Sequence, residues 1–148
     1  MAIHSGHTSI CVSDMGRALD FYCGVLGLKM SKDYGTTPAD GLTRVSGSTM
    51  TFNLLEDSEG NQCVELFQFE NIRQRKFDGT SRHEDFWSSH VCFLFDPESI
   101  DEVYQRIVDS GAGIDIPLSD MDGGKFAYVY DPDGYMVELV TWYNGRAE

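Results

Sequence analysis

The sequence predicts an α+β chain of two tandem β-α-β-β-β modules, and three observations carry that expectation. A histidine-led strand followed by an aspartate-started helix occurs twice, over 7–14 and again over 90–96. A Val-Glu-Leu strand core also occurs twice, as Val64-Glu65-Leu66 and Val137-Glu138-Leu139. The offset between those glutamates also relates two turn sequences, Ser58-Glu59-Gly60-Asn61 and Asp131-Pro132-Asp133-Gly134. A repeat of this length constrains the architecture before any single element is considered.

The elements follow in order. Residues 7–13 alternate as a half-buried strand does. Asp14 stands at a helix N-cap position, and Ala18, Phe21, Tyr22 and Val25 recur at helical spacing up to the stop at Gly27. Strands are expected over 28–34, 49–55 and 61–69, the last two joined by the turn at 58–61. In the second half, 90–95 reads as a strand and Asp96-Pro97 as a helix start. Ile100, Val103, Tyr104, Ile107 and Val108 form the helix stripe, which Gly111 ends. Strands are then expected over 113–116, 126–130 and 134–142. The turn-rich segments 35–48 and 117–125 read as long loops of the kind that often act as lids. The polar stretch 71–88 reads as a linker. The expected organisation is one domain, 1–148, with module one over 4–70 and module two over 89–143.

A chain of 148 residues that is 41% hydrophobic and 24% charged suits one soluble domain with its own core. Its formal net charge of −13 opposes a phosphate backbone, so nucleic acid is not an expected partner. Arg73, Arg75, Lys76 and Arg82 cluster in the linker. They read first as a solvated loop and second as an anchor for an anionic group. Cys11, Cys23, Cys63 and Cys92 form no CxxC pair and read as reduced, buried small hydrophobes in a cytoplasmic protein. No signal-peptide pattern opens the chain, and no apolar run nears the ~18 residues of a membrane span.

Strand parity singles out the candidate chemistry. His7, Ser9 and Cys11 share one face, opposite Ile10 and Val12. Glu65 lies on a face with Cys63, Phe67 and Phe69. Glu138 lies on one with Met136, Val140 and Trp142. A carboxylate among apolar neighbours must be paired, protonated or bound to a cation. Taken singly, each histidine could be a core or rim residue and each glutamate an edge residue. Two His–Glu pairs placed alike in a duplicated unit point instead to a shared metal held by His7, Glu65, His90 and Glu138. Imidazole and carboxylate donors suit one divalent zinc, nickel, cobalt, iron or manganese ion. Four protein ligands on an octahedral ion would leave two positions for water or a bidentate substrate. His4 and His83 are weaker candidates, one by parity and the other by its place in the linker.

With these residues in hand, the chain resembles the vicinal oxygen chelate superfamily of glyoxalase I, methylmalonyl-CoA epimerase, extradiol dioxygenases and bleomycin- and fosfomycin-resistance proteins. The matching marks are His7-x-x-Ile10-x-Val12-x-Asp14, Ala18-x-x-Phe21-Tyr22-x-x-Val25-Leu26-Gly27, Val64-Glu65-Leu66, His90, and Asp131-Pro132-Asp133-Gly134 leading to Glu138-Leu139. The resemblance implies a cupped mixed sheet around the metal and a small-molecule substrate bound through vicinal oxygens. It also implies a homodimer. The four-ligand set is similar to that of glyoxalase I and the metal-dependent epimerases. Extradiol dioxygenases use two His and one Glu, and antibiotic-sequestering members commonly lack the ligands. The third strand of module one lacks the extra glutamate of methylmalonyl-CoA epimerases. The expected activity is an isomerase, epimerase or glyoxalase-type lyase that moves a proton beside a carbonyl, with Glu65 and Glu138 as bases. The alternatives are a dioxygenase and a dimeric binding or resistance protein. Asn53, Arg44, Phe52, Phe67 and Tyr128 are the expected substrate contacts, with Trp87 and Trp142 as further pocket candidates.

Overall fold

The computed structural model describes residues 6–74, 83–86 and 88–144. His4, Arg75, Lys76, Arg82 and Trp87 lie outside the described residues. The chain forms two compact units, Met1–Lys76 and Phe77–Glu148.

The first unit runs β1 (Thr8–Cys11), α1 (Met15–Leu19), β2 (Lys29–Pro38), α2 (Asp40–Thr43), β3 (Thr49–Glu56) and β4 (Gln62–Glu70). Its sheet has the order β1-β4-β3-β2, with β1 parallel to β4 and the other pairs antiparallel. Asp14 does cap the helix, accepting from the Arg17 amide at 2.9 Å. The helix continues past Leu19 as a π-helical segment, Asp20–Val25. Ala18, Phe21, Tyr22 and Leu26 are buried, as are Ile10, Val12, Leu55, Val64 and Leu66 of the sheet. Full burial of each large aliphatic side chain stabilises the fold by about 1.5–3 kcal/mol.

The second unit repeats the plan with β5 (His90–Leu94), α3 (Ile100–Ser110), β6 (Ile114–Met121), β7 (Gly124–Tyr130) and β8 (Met136–Trp142). The sheet order is β5-β8-β7-β6, with β5 parallel to β8. Ile100, Val103 and Ile107 are buried along with Val129, Val137 and Leu139, while Val108 is exposed. Gly111 closes α3 in the left-handed region, at φ 76°. Both hairpin turns form as read, with Asp57 and Asp131 each accepting backbone amides through a carboxylate oxygen.

Three expectations need correction. The segments 35–48 and 117–125 are not long loops, because β2 reaches Pro38 and β6 reaches Met121 before a tight turn into β7. Gly35, Pro38 and Pro117 lie within these segments, but β2 and β6 are edge strands, where proline and bulges are tolerated. The second helix starts at Ile100, because Asp96 first accepts the Ser99 amide and hydroxyl in a turn. Cys11 and Cys92 are exposed and Cys23 and Cys63 half-buried, so the cysteines are not core residues as a set. Cys11 and Cys92 lie on the sheet faces that carry the glutamates, not on those that pack against the helices.

Candidate metal centre

Parallel pairing places each histidine over its glutamate. In the first unit Ser9 of β1 is in register with Glu65 of β4. His7 stands two residues earlier, just ahead of β1, and its Nε2 lies 3.0 Å from Glu65 Oε2. The Ser9 hydroxyl donates to that same oxygen at 2.8 Å. In the second unit Cys92 is in register with Glu138, and His90 two residues earlier brings its Nε2 to 3.2 Å from Glu138 Oε2. Here the other carboxylate oxygen is also held, because the Tyr128 hydroxyl donates to Glu138 Oε1 at 2.6 Å.

Both pairs have the same exposure profile. The histidine side chains are 38% exposed, whereas Glu65 and Glu138 are 13% and 18% exposed. Recessed carboxylates thus sit beneath reachable imidazoles. The donor chemistry fits a divalent ion. Each imidazole stands within hydrogen-bond reach of its carboxylate, at 3.0 and 3.2 Å, so both donors of a pair could turn to one ion. Among the described residues the donors come in twos, with no three His, Cys, Asp or Glu side chains in one cluster.

Each glutamate-bearing face also carries aromatic side chains. In the first unit Tyr34, Phe52, Phe67 and Phe69 stack in a row, with centroid spacings of 4.2, 5.4 and 5.7 Å. Phe52 and Phe67, expected as substrate contacts, are therefore on the same face as Glu65. Asn53 is not. It is 3% exposed and in register with Leu66, on the opposite face of the sheet. Its amide, turned to donate, meets Asp33 Oδ1 at 2.8 Å and the Phe52 carbonyl at 2.9 Å. Arg44 is exposed at the left-handed end of α2. Tyr128 is half-buried beside Glu138, with the Phe126 ring 6.1 Å and the His90 ring 5.4 Å away. Burial first, and then the bond to Glu138, push its phenol well above the ordinary tyrosine range.

Sequence reasoning missed Ser9 and ranked His83 only as a weaker candidate. Ser9 carried a usable signal, since it shares His7's parity and falls opposite Glu65 once β1 is paired. His83, a linker histidine in the one-dimensional pattern, had no periodicity to place it. It packs edge-on against Tyr128 at 4.4 Å, and its Nε2 lies 3.1 Å from Asp115 Oδ2.

Comparison with known proteins agrees with this architecture. Residues 4–139 match the Glyoxalase/Bleomycin resistance protein/Dioxygenase superfamily. A probable lactoylglutathione lyase from Synechocystis is 29% identical over 142 residues, covering 90% of this chain and 92% of the relative. A lactoylglutathione lyase from Schizosaccharomyces pombe is 27% identical over 149 residues and 91% of this chain. The matched region is only 46% of that relative's length, so the chain spans about half of it. Among solved structures, a Bacillus cereus glyoxalase family protein superimposes with a TM-score of 0.79 at 18% identity, covering 96% of this chain and 95% of its own. A Listeria monocytogenes fosfomycin resistance protein, solved with Mn(II) and sulfate, does so at 0.60 and 19% identity, over 95% and 93% of the two chains.

Proposed function

Because the chain belongs to the Glyoxalase/Bleomycin resistance protein/Dioxygenase superfamily, we propose that it is a divalent-metal-dependent lyase or isomerase. It moves a proton on the carbon next to a carbonyl, in a small substrate that offers two neighbouring oxygens. The observation that carries this reading is the pair of equivalent His–Glu couples, one in each module, at 3.0 and 3.2 Å. His7, Glu65, His90 and Glu138 are the residues that would hold the ion. When bound, a divalent ion supplies a Lewis acid that steadies negative charge on substrate oxygens.

The chain's own residues account for the rest. Glu65 and Glu138 are the carboxylates equivalent in the two modules, and either can accept a proton from an acidified carbon. The aromatic row beside Glu65 offers the substrate an apolar bed. The lactoylglutathione lyase names among its relatives favour a thiohemiacetal substrate, rearranged to a thioester of a 2-hydroxy acid. A second copy of the chain is the expected partner.

The test combines metal content with turnover. Purified protein should carry about one divalent ion per chain. It should convert the hemithioacetal of methylglyoxal and glutathione, or exchange α-hydrogen on related 2-oxo substrates. His7→Ala and His90→Ala should each lower metal affinity and abolish turnover while the fold survives, because Ile10, Val12 and Val91 of the core are untouched. Wild-type metal affinity in either variant would reduce that histidine to a rim residue.

A further inference from the structure

The two glutamates are equivalent in the repeat but are not held alike. Among the described residues, Glu65 is met by Ser9 and His7 at one oxygen, Oε2. Glu138 is met at both, by Tyr128 at Oε1 and by His90 at Oε2. The difference originates on the strand across from each carboxylate. Leu54 of β3 is in register with Glu65, and Tyr128 of β7 with Glu138. A leucine cannot donate a hydrogen bond, whereas a phenol beside a carboxylate must be the donor, because an ionised carboxylate only accepts.

Tyr128 itself is confined. The His83 ring meets it edge-on at 4.4 Å and an interplanar angle of 81°. The His90 ring lies 5.4 Å away at 85°, and Phe126 lies 6.1 Å away at 74°. His83 is in turn oriented by Asp115, whose other oxygen accepts from the Tyr130 hydroxyl at 3.1 Å. An imidazole fixed through one nitrogen by a carboxylate keeps a set ring orientation. The second unit therefore contains a chain of contacts, Tyr130 to Asp115 to His83 to Tyr128 to Glu138. The Leu54 position of the first unit cannot reproduce its last link.

We propose that Tyr128 is a positioning residue for Glu138, fixing Oε1 so that Oε2 stays turned to His90 as the oxygen available to a metal, with His83 and Asp115 holding the phenol in place. The inference rests on the metal-centre reading above. It makes Glu138 the held carboxylate of the two and Glu65 the freer one. It also gives Tyr128 a role distinct from direct contact with substrate.

The experiment measures metal affinity, not turnover. Apo-protein of the full chain competes with a chromophoric chelator for Co(II). Tyr128→Phe, which deletes one oxygen, should raise Kd at least about tenfold, as loss of a hydrogen bond to a ligating group does. His83→Ala should raise it in the same direction by a smaller factor. The Tyr128→Phe effect should vanish in an E138A background, which removes the accepting oxygen, and persist in an E65A background. Wild-type affinity in Tyr128→Phe, or an undiminished effect in E138A, would overturn the proposal. His90→Ala separates the two ideas. If His90→Ala loses the metal while Tyr128→Phe does not, only the positioning role falls. If His7→Ala and His90→Ala both keep the metal, the centre itself falls. Should Tyr128→Phe not fold, His83→Ala run through the same two backgrounds decides the question by the same pattern.

Discussion

A side chain's environment here is set by which residue the register places across from it, and repeat position alone does not determine it. Ser9 and Cys92 occupy the same place in the two parallel pairings, as do Leu54 and Tyr128 in the antiparallel ones. Those two substitutions differentiate a duplicated His–Glu motif. The phenols beside the second pair give a pH signature. Burial and the bond to Glu138 raise Tyr128, and burial and the bond to Asp115 raise Tyr130. A raised folded pKa contributes stability that is fully present below the unfolded tyrosine value of about 10 and is lost as pH rises through the folded value. Apo-protein should therefore lose stability progressively above that pH, and Tyr128→Phe should flatten the loss. Tyrosinate absorbance of the native chain should show a late step that Tyr128→Phe removes, and an unchanged alkaline curve would refute this assignment. At this scale parity and repetition singled out His7, Glu65, His90 and Glu138, and the structure sets each histidine beside the glutamate of its own module. It misplaced Asn53, because parity within β3 does not say which face looks toward Glu65 until β3 and β4 are paired. It ranked His83 low, because a linker residue has no periodicity to place it against Tyr128.

Elements were legible in proportion to how much of their surface is buried. The central strands β4 and β8 bury Val64 and Leu66, and Val137 and Leu139, and their apolar alternation identified them directly. The edge strands β2 and β6 have one free side, carry bulges and tolerate proline, so their sequences imitate loops. The lid expectation arose from that imitation. The turn between β6 and β7 shows how tightly such an edge is nonetheless built. Gly124, the first residue of β7, lies so close to β8 that a Cβ there would run into the backbone carbonyl of Thr141. Backbone within a central strand cannot retreat as a flexible side chain can. Gly124→Ala should therefore cost about 1–3 kcal/mol of stability, the range of overpacking substitutions. Gly24→Ala, where a Cβ would meet nothing within 4 Å, is the matched control. Equal thermal midpoints for the two variants would show that the hairpin relaxes at no cost.

For the chain as a whole, the duplication accounts for the repeated fold and for the repeated His–Glu pair. Each unit supplies one imidazole and one recessed carboxylate, the donors on which the proposed Lewis-acid chemistry rests. A charge of −13 leaves small molecules as the natural ligands, and no described helix is long and apolar enough to cross a membrane. Oxygen chemistry and proton transfer make opposite demands on such a centre, and that contrast gives the last prediction. A lyase or isomerase should turn over equally well without oxygen. An isomerase should also exchange the substrate α-hydrogen with deuterium from solvent. A lyase that shields its proton exchanges poorly, so the oxygen arm decides between the classes and the deuterium arm between the two non-oxidative variants. Glu138→Gln should remove turnover more completely than it removes metal, because an amide still coordinates weakly but accepts no proton. Oxygen uptake and deuterium incorporation should be followed together on one set of 2-oxo and hemithioacetal substrates. Turnover that consumes oxygen stoichiometrically would reassign the chain to the dioxygenase branch of its superfamily and remove one glutamate from the proposed ligand set.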